Sequence, residues 1–217
     1  MNRQSNISRK DALKSIGLAS LGLYFLQFTA CNRKDSSETK ISNQNSILPF
    51  YIPPTSPLEA GIVGMNVRTI IRSSQTNMQF SSVEMAIAPK HMGPPPHLHK
   101  DLDEIMFVLE GTATVMVDGK IEEVQTGGWH LRPRKLEHTY WNATDKTLRF
   151  IDMYFNQNFE DYLEELYVKI FPEMLKNNLT PNDPKIGKRL AELDQKFGIT
   201  TFAEKRKPLA DKYGLIA

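Results

Sequence analysis

The feature that most constrains this chain is a series of short segments, between about residues 62 and 155, in which apolar and polar residues alternate. A period of two places alternate side chains on opposite faces of a β-strand. Gly, Pro, Asn and Asp separate the segments, which predicts turns between short strands. The segments are 67–72, 78–88, 104–109, 112–117, 120–124, 129–132, 138–141 and 148–155.

The clearest turn signal is Asp118-Gly119, which lies between two alternating segments. This pair is typical of a two-residue hairpin turn in which both central residues have positive φ. About eight strands in roughly 90 residues, with no helical pattern among them, predict a mainly β fold. We expect a small antiparallel β-barrel or jelly roll over residues 47–155.

After Asn156 the apolar period becomes helical, and we expect residues 156–217 to form a C-terminal helical extension. The first helix presents one apolar face until Pro172, which we expect to interrupt it. A second helix has Asp183 as N-cap, Pro184 at its first position and Gly198 as its C-terminal stop. These apolar faces must cover either the outside of the barrel or a second copy of the protein.

Residues 1–31 are typical of an export segment. A basic start precedes an apolar run over 16–28, which is shorter than the roughly 20 residues needed to span a bilayer. Small residues then lead to Cys31, in a pattern that resembles a bacterial lipobox with Phe28 where Leu is usual. We expect an exported protein, periplasmic or anchored by a lipid on Cys31; an ordinary signal peptide is the alternative. Residues 32–46 are predicted to be a polar tether.

The charge balance gives little support to nucleic-acid binding. The net charge of +2 includes four basic residues and one acidic residue in the first 30 positions. Residues 31–217 hold 23 basic and 24 acidic side chains, so no basic stripe is available for phosphates. If Cys31, the only cysteine, is lipidated, then disulfides and thiol nucleophiles are also excluded.

Three histidines and one glutamate form the pattern that carries chemistry. His97 and His99 share a face of an extended segment because they are two residues apart. Glu104 begins the next strand, and His138 begins a later one. A single histidine on an apolar face is more often a hydrogen-bonded core residue. Three neutral imidazoles with one carboxylate suit a divalent transition metal such as Fe, Mn, Co, Ni, Cu or Zn.

These residues resemble the first sequence motif of the cupin superfamily. The motif runs His97-x-His99, four residues, Glu104, six residues and Gly111. Gly93 stands closer to His97 than is usual in the family.

A second cupin motif follows at a matching distance. It has Gly127, five residues, Pro133, then His138, three residues and Asn142. Lys135 replaces the turn glycine of this motif, which affects the local turn and none of the ligands. The two motifs together are much more specific than a histidine pair.

The resemblance implies a cupin barrel over residues 47–155 with a metal bound by His97, His99, Glu104 and His138. Glu104 is also the candidate catalytic residue, as a proton acceptor. Residues in phase with the ligands are expected to line a mostly apolar substrate pocket, or simply to form a filled core. They are Met85, Ile87, Met106, Val108, Tyr140 and Asn142.

Single-domain, quercetin-dioxygenase-like cupins are the most similar class, which implies a metal-dependent dioxygenase acting on a small aromatic or oxygenated molecule. A non-catalytic cupin that binds a small molecule or sugar at the cell envelope is the alternative. A sugar isomerase or epimerase is less favoured, because few inward basic residues are evident. The resemblance also implies a homodimer, with residues 47–52 and the C-terminal helices as candidate contacts.

Overall fold

The computed structural model describes residues 47–61 and 63–217. The predicted export segment, the lipidation at Cys31 and the polar tether all lie outside the described residues. Among the residues described, no helix is long and apolar enough to cross a membrane.

Two five-stranded antiparallel sheets form the body of the protein, which confirms the predicted jelly roll. The first sheet has the order β1-β2-β9-β4-β7 and the second has the order β10-β3-β8-β5-β6. The strands of the first sheet are β1 (Met65–Ile71), β2 (Phe80–Ile87), β4 (Glu104–Glu110), β7 (Trp129–Arg132) and β9 (Leu148–Phe155). Those of the second are β3 (His97–His99), β5 (Thr112–Val117), β6 (Lys120–Gln125), β8 (His138–Trp141) and β10 (Ile199–Thr201).

All eight predicted strands are present, and the hairpin turn is confirmed. Asp118 and Gly119 have φ values of 49° and 76°, and they join β5 to β6. Two strands are not among the eight predicted: β10, and β3, which was predicted only as an extended segment. Each has only three residues, which is too few for a period of two to show itself.

The core lies between the sheets and consists of the inward-facing side chains of their strands. In β9, for example, Leu148 and Phe150 are fully buried while their neighbours are half-buried. Burying one such side chain stabilises the fold by roughly 1.5–3 kcal/mol. The polar Asp152 continues the same inward series, and it is also buried.

The first predicted helix does not end at Pro172, so that expectation was wrong. The helical run comprises α1 (Phe159–Glu164), a π-helical turn (Glu165–Ile170) and α2 (Phe171–Asn177). Pro172 cannot donate to the carbonyl four residues earlier, which is that of Val168. The π-helical turn just before it changes the hydrogen-bond register, and this accommodates the missing donor.

The second predicted helix is confirmed as α3 (Pro184–Phe197). The Asp183 carboxylate accepts from the backbone N–H groups of Lys185 and Ile186, and Gly198 ends the helix at φ 65°. A short third segment, α4 (Arg206–Tyr213), was not predicted.

The C-terminal helices pack against the jelly roll. Their buried apolar residues belong to the same cluster as the barrel core. They are Phe159, Leu163, Ile170, Ile186, Leu193 and Phe197. By contrast, residues 47–52 have no strand pairing, and their apolar side chains are exposed. Their role as a dimer contact stays a prediction.

Candidate metal centre

The four predicted ligand residues come together between the two sheets. His97 and His99 lie on β3, which pairs with β8 at His138, and Glu104 begins β4 of the opposite sheet. One ligand atom from each residue lies within 4.8 Å of the others. Since metal–ligand bonds are about 2.1 Å long, this separation fits four donors around one ion. His97 is the most exposed of the four at 9%, and the other three are 3% exposed or less.

Backbone carbonyl groups fix two of the histidine rings. The Nδ1 atom of His97 lies 2.9 Å from the carbonyl oxygen of Pro95, and Nδ1 of His138 lies 2.9 Å from that of Leu136. A carbonyl oxygen can only accept, so each Nδ1 carries the proton and donates it. In the neutral form of each ring, Nε2 is then the nitrogen without a proton, and it is available as a metal ligand.

His99 is held differently. Both of its ring nitrogens are buried without a hydrogen-bond partner among the described residues, although Nε2 lies 2.9 Å from Oε1 of Glu104. Instead, the ring of Phe159 stands perpendicular to the His99 imidazole, with ring centroids 5.0 Å apart. Buried nitrogens without partners are costly, and a metal ion in the cluster would satisfy one of the two.

The protonation states suit a metal site. Burial, together with the nearby His138 and His99, holds the pKa of His97 well below its usual range, so the ring is neutral. Burial also opposes ionisation of Glu104. The Arg132 guanidinium and His99 outweigh that effect and hold the pKa of Glu104 well below its usual range. The site therefore offers a neutral imidazole at His97 and a carboxylate at Glu104.

Arg132 extends the site into a buried ionic network that sequence reasoning missed. Its Nε lies 2.9 Å from Glu104, its Nη2 bonds Asp152, and its guanidinium lies over the ring of Tyr140. Burial raises the pKa of Asp152 to about 7, although Arg132 acts against this rise. The phenol of Tyr154 donates to the second oxygen of Asp152 at 3.2 Å. Arg132 is in register with Glu104, so alternation along β7 could have identified it as inward-facing.

The two departures from the motifs have structural explanations. Lys135, which stands where the motif has glycine, adopts φ 67°, so the turn keeps a glycine-like conformation. Its backbone N–H donates to the carbonyl of His99 at 2.7 Å, which ties this turn to the ligand strand. A Cβ atom at Gly93 would lie 2.2 Å from the carbonyl oxygen of Tyr140, so no larger residue fits there.

The six predicted pocket residues all face the interior and are no more than 4% exposed. The Tyr140 hydroxyl points to Sδ of Met85 at 3.4 Å. The Asn142 side chain donates to three backbone carbonyls, those of Ile87, Ala88 and Lys146, so it braces a loop. Two surface cavities, of about 560 and 320 Å³, lie beside the C-terminal helices and away from the histidines. A ligand pocket at the six residues stays a prediction.

The fold and the four convergent side chains define a jelly-roll protein with a candidate site for a divalent metal. Residues 83–154 match the family model described as Cupin domain. This match includes both motifs and all four ligand residues, so residues 83–154 are identified as a cupin domain.

The chain is also similar to several solved structures. KdgF from Halomonas sp. has 17% identity and a TM-score of 0.41, over 45% of this chain and 84% of its own. TT1209 from Thermus thermophilus has 16% identity and a TM-score of 0.41, over 45% of this chain and 89% of its own. The polyketide cyclase RemF from Streptomyces resistomycificus has 26% identity and a TM-score of 0.39, over 46% of this chain and 70% of its own. A search of curated proteins found no match.

Proposed function

We propose that this protein binds one divalent transition-metal ion at His97, His99, Glu104 and His138. The observation that carries the proposal is the convergence of four buried residues, in which Nε2 of His99 and of His138 has no hydrogen-bond partner among the described residues. Three imidazoles and one carboxylate accept Fe, Mn, Co, Ni, Cu or Zn and leave positions open for other ligands.

We further propose that the metal serves a dioxygenase reaction on a small aromatic or oxygenated substrate. The apolar surroundings and the phenol of Tyr140 favour such a substrate over a phosphorylated sugar. When bound, the metal would orient the substrate oxygen and activate O₂. Glu104 would act mainly as a ligand, because a carboxylate with a depressed pKa is a weak proton acceptor.

A non-catalytic cupin at the cell envelope is the second candidate. The observation in its favour is that the inward residues around the cluster pack closely and are almost fully buried. In that case the metal would stabilise the barrel or orient a bound molecule. A sugar isomerase or epimerase is less favoured, because Arg132, the inward arginine, is engaged by Glu104 and Asp152.

Elemental analysis of the purified full chain tests the metal site. We expect about one equivalent of a first-row metal in the parent protein and a loss of metal affinity of about 100-fold or more in His138→Ala. His130→Ala is the matched control, because His130 lies outside the cluster, near Glu122. No metal uptake by the parent chain, when each ion is offered, would contradict the proposal.

Oxygen consumption separates the two functions. A dioxygenase should consume O₂ when a flavonol or catechol is added to the metal-loaded protein. A binding protein should instead show ligand-dependent thermal stabilisation with no new product.

We propose that the chain is exported and carries a lipid on Cys31. The apolar run over 16–28 and the small residues before the cysteine support this. Intact-mass measurement of protein from the membrane fraction tests it, with Cys31→Ser as the control that should lose the added mass and leave the membrane.

We also propose a homodimer. Leu48 and Tyr51 are 74% and 81% exposed, although both are large and apolar. On the outer face of the first sheet, Trp129 and Leu131 are similarly exposed. A second copy would cover these surfaces. Light scattering should give a dimer mass for the parent and a monomer mass for Leu48→Ser/Tyr51→Ser.

A further inference from the structure

We propose that the C-terminal extension, residues 156–217, positions the histidine ligands of the metal centre, through the edge of β3 and through the ring of Phe159. This inference rests on the proposed metal-binding function. It assigns a role in the site to a part of the chain that contributes no ligand.

The strand that carries His97 and His99 receives most of its pairing from the extension. On one side, β3 is in register with β8 at a single position, His97 with His138. On the other side, all three of its residues pair with β10. The register joins Ile199 to His99, Thr200 to Leu98 and Thr201 to His97.

Backbone hydrogen bonds continue this pairing beyond both ends of β3. The Lys100 N–H donates to the carbonyl of Gly198, and the Phe202 N–H donates to that of Pro96, each at 2.8 Å. Along an antiparallel pair of strands, hydrogen-bonded and non-hydrogen-bonded residue pairs alternate. Thr200 and Leu98 lie midway between these two bonds, so they also form a hydrogen-bonded pair. A three-residue strand that follows a run of prolines needs such a partner to hold its direction.

One carboxylate connects β10 to the helices. Asp194, in α3, accepts from the Tyr162 hydroxyl of α1 and from the Thr201 hydroxyl of β10, both at 2.8 Å. Since Thr201 is in register with His97, the placement of α1 and α3 is linked to the ligand strand.

The ring of Phe159 supplies the second contact. His99 lacks the carbonyl partner that orients the other two histidines, and the Phe159 ring packs against it instead. Phe159 is itself held by Tyr154, with centroids 4.7 Å apart, and it stacks on Tyr162 at 4.9 Å. We therefore assign Phe159 as a positioning residue for the His99 imidazole.

Cobalt titration of the full chain tests the role of Phe159, with the dissociation constant and the visible spectrum of bound Co²⁺ as readouts. We expect Phe159→Leu to weaken Co²⁺ binding about tenfold and to shift the spectrum, because groups that orient a ligand tune its metal. Phe171→Leu is the matched control. Phe171 belongs to the same helical run and packs on Tyr167, so that change should leave Co²⁺ binding within about twofold.

A second pair of variants tests the strand edge. Thr200→Pro removes the backbone N–H that faces Leu98, whereas Thr200→Val keeps it, and the Thr200 side chain is exposed. We expect weaker Co²⁺ binding in the proline variant alone. If Thr200→Pro does not fold, the comparison of Phe159→Leu with Phe171→Leu decides whether the extension positions the ligands.

The outcomes separate this inference from the proposed function. Parent-like Co²⁺ affinity and spectrum in both Phe159→Leu and Thr200→Pro would overturn the role of the extension and leave the metal site intact. Failure of the parent chain to take up Co²⁺ would overturn the metal site itself.

Discussion

The first sheet carries an arginine–carboxylate network on each of its faces. On the outer face, the Glu84 carboxylate receives two guanidinium groups, from Arg68 and Arg149. On the inner face, the ratio is reversed, since one guanidinium, that of Arg132, serves both Glu104 and Asp152.

The pKa values report this difference. Burial opposes ionisation of Glu84, but Arg149 and Arg68 outweigh it and lower its pKa. On the inner face, the pKa of Asp152 rises to about 7, because burial outweighs the single arginine. Glu84 has two arginines beside it, although Arg149 also bonds the more exposed Glu110, whereas on the inner face the two buried carboxylates share one arginine. The shortage of positive charge on the inner face lies beside the histidine nitrogens without hydrogen-bond partners, and a bound cation would compensate for both.

The largest effect should come from removing the shared arginine. Arg132→Met would leave two buried carboxylates without a counter-charge, so we expect the metal-free protein to lose about 3–5 kcal/mol of unfolding free energy. Denaturant unfolding at pH 8 with a chelator measures this. In Arg149→Met, Glu84 keeps Arg68, so the loss should be about 1 kcal/mol. Equal losses would show that the two networks are equivalent.

A smaller effect should follow from neutralising the outer carboxylate. Glu84→Gln should cost about 2 kcal/mol at pH 7, because charge-assisted hydrogen bonds from two arginines are weakened. The folded-state pKa of Glu84 lies below its ordinary value of 4.5, so this stabilisation is present above that pH and is lost as the pH falls below it. The unfolding free energies of parent and variant should therefore converge at low pH, as the pH falls through the folded-state pKa of Glu84. A difference that persists there would point to packing as its cause.

The smallest effect should come from the apolar part of the interior. Ile87→Val removes one methylene from a fully buried side chain and should cost about 1 kcal/mol. Metal affinity should stay within about twofold, because the ligand cluster is unchanged. A large loss of affinity, measured by Co²⁺ titration, would mean that the apolar core and the metal site are not separate.

The residues that sequence analysis identified are those whose role follows from local spacing. His97 and His99 share a face because they are two residues apart, and the alternation of β4 places Glu104 inside. The hairpin at Asp118-Gly119 and the capping by Asp183 are equally local, and the structure confirms both.

The residues that were missed depend on contacts between distant parts of the chain. Asp152 is polar in an otherwise apolar inward series, and only its contact with Arg132 explains it. Phe159 follows a helical apolar pattern, which predicts burial but not a histidine as its neighbour. Pro172 has a strong local preference for ending a helix, and the π-helical turn before it overrides that preference.

The pairing of β3 with β10 also sets an order of events during synthesis. The ligand strand and its partner are roughly 100 positions apart in the chain, so all of the chain between them must leave the ribosome before the partner arrives. Until then the nascent chain exposes an open strand edge at its histidines, which is a template for association with other chains. A polypeptide that stops before Ile199 would contain every ligand residue and still lack the finished strand. Metal capture in this protein is therefore expected only after β10 has been synthesised and has closed that edge.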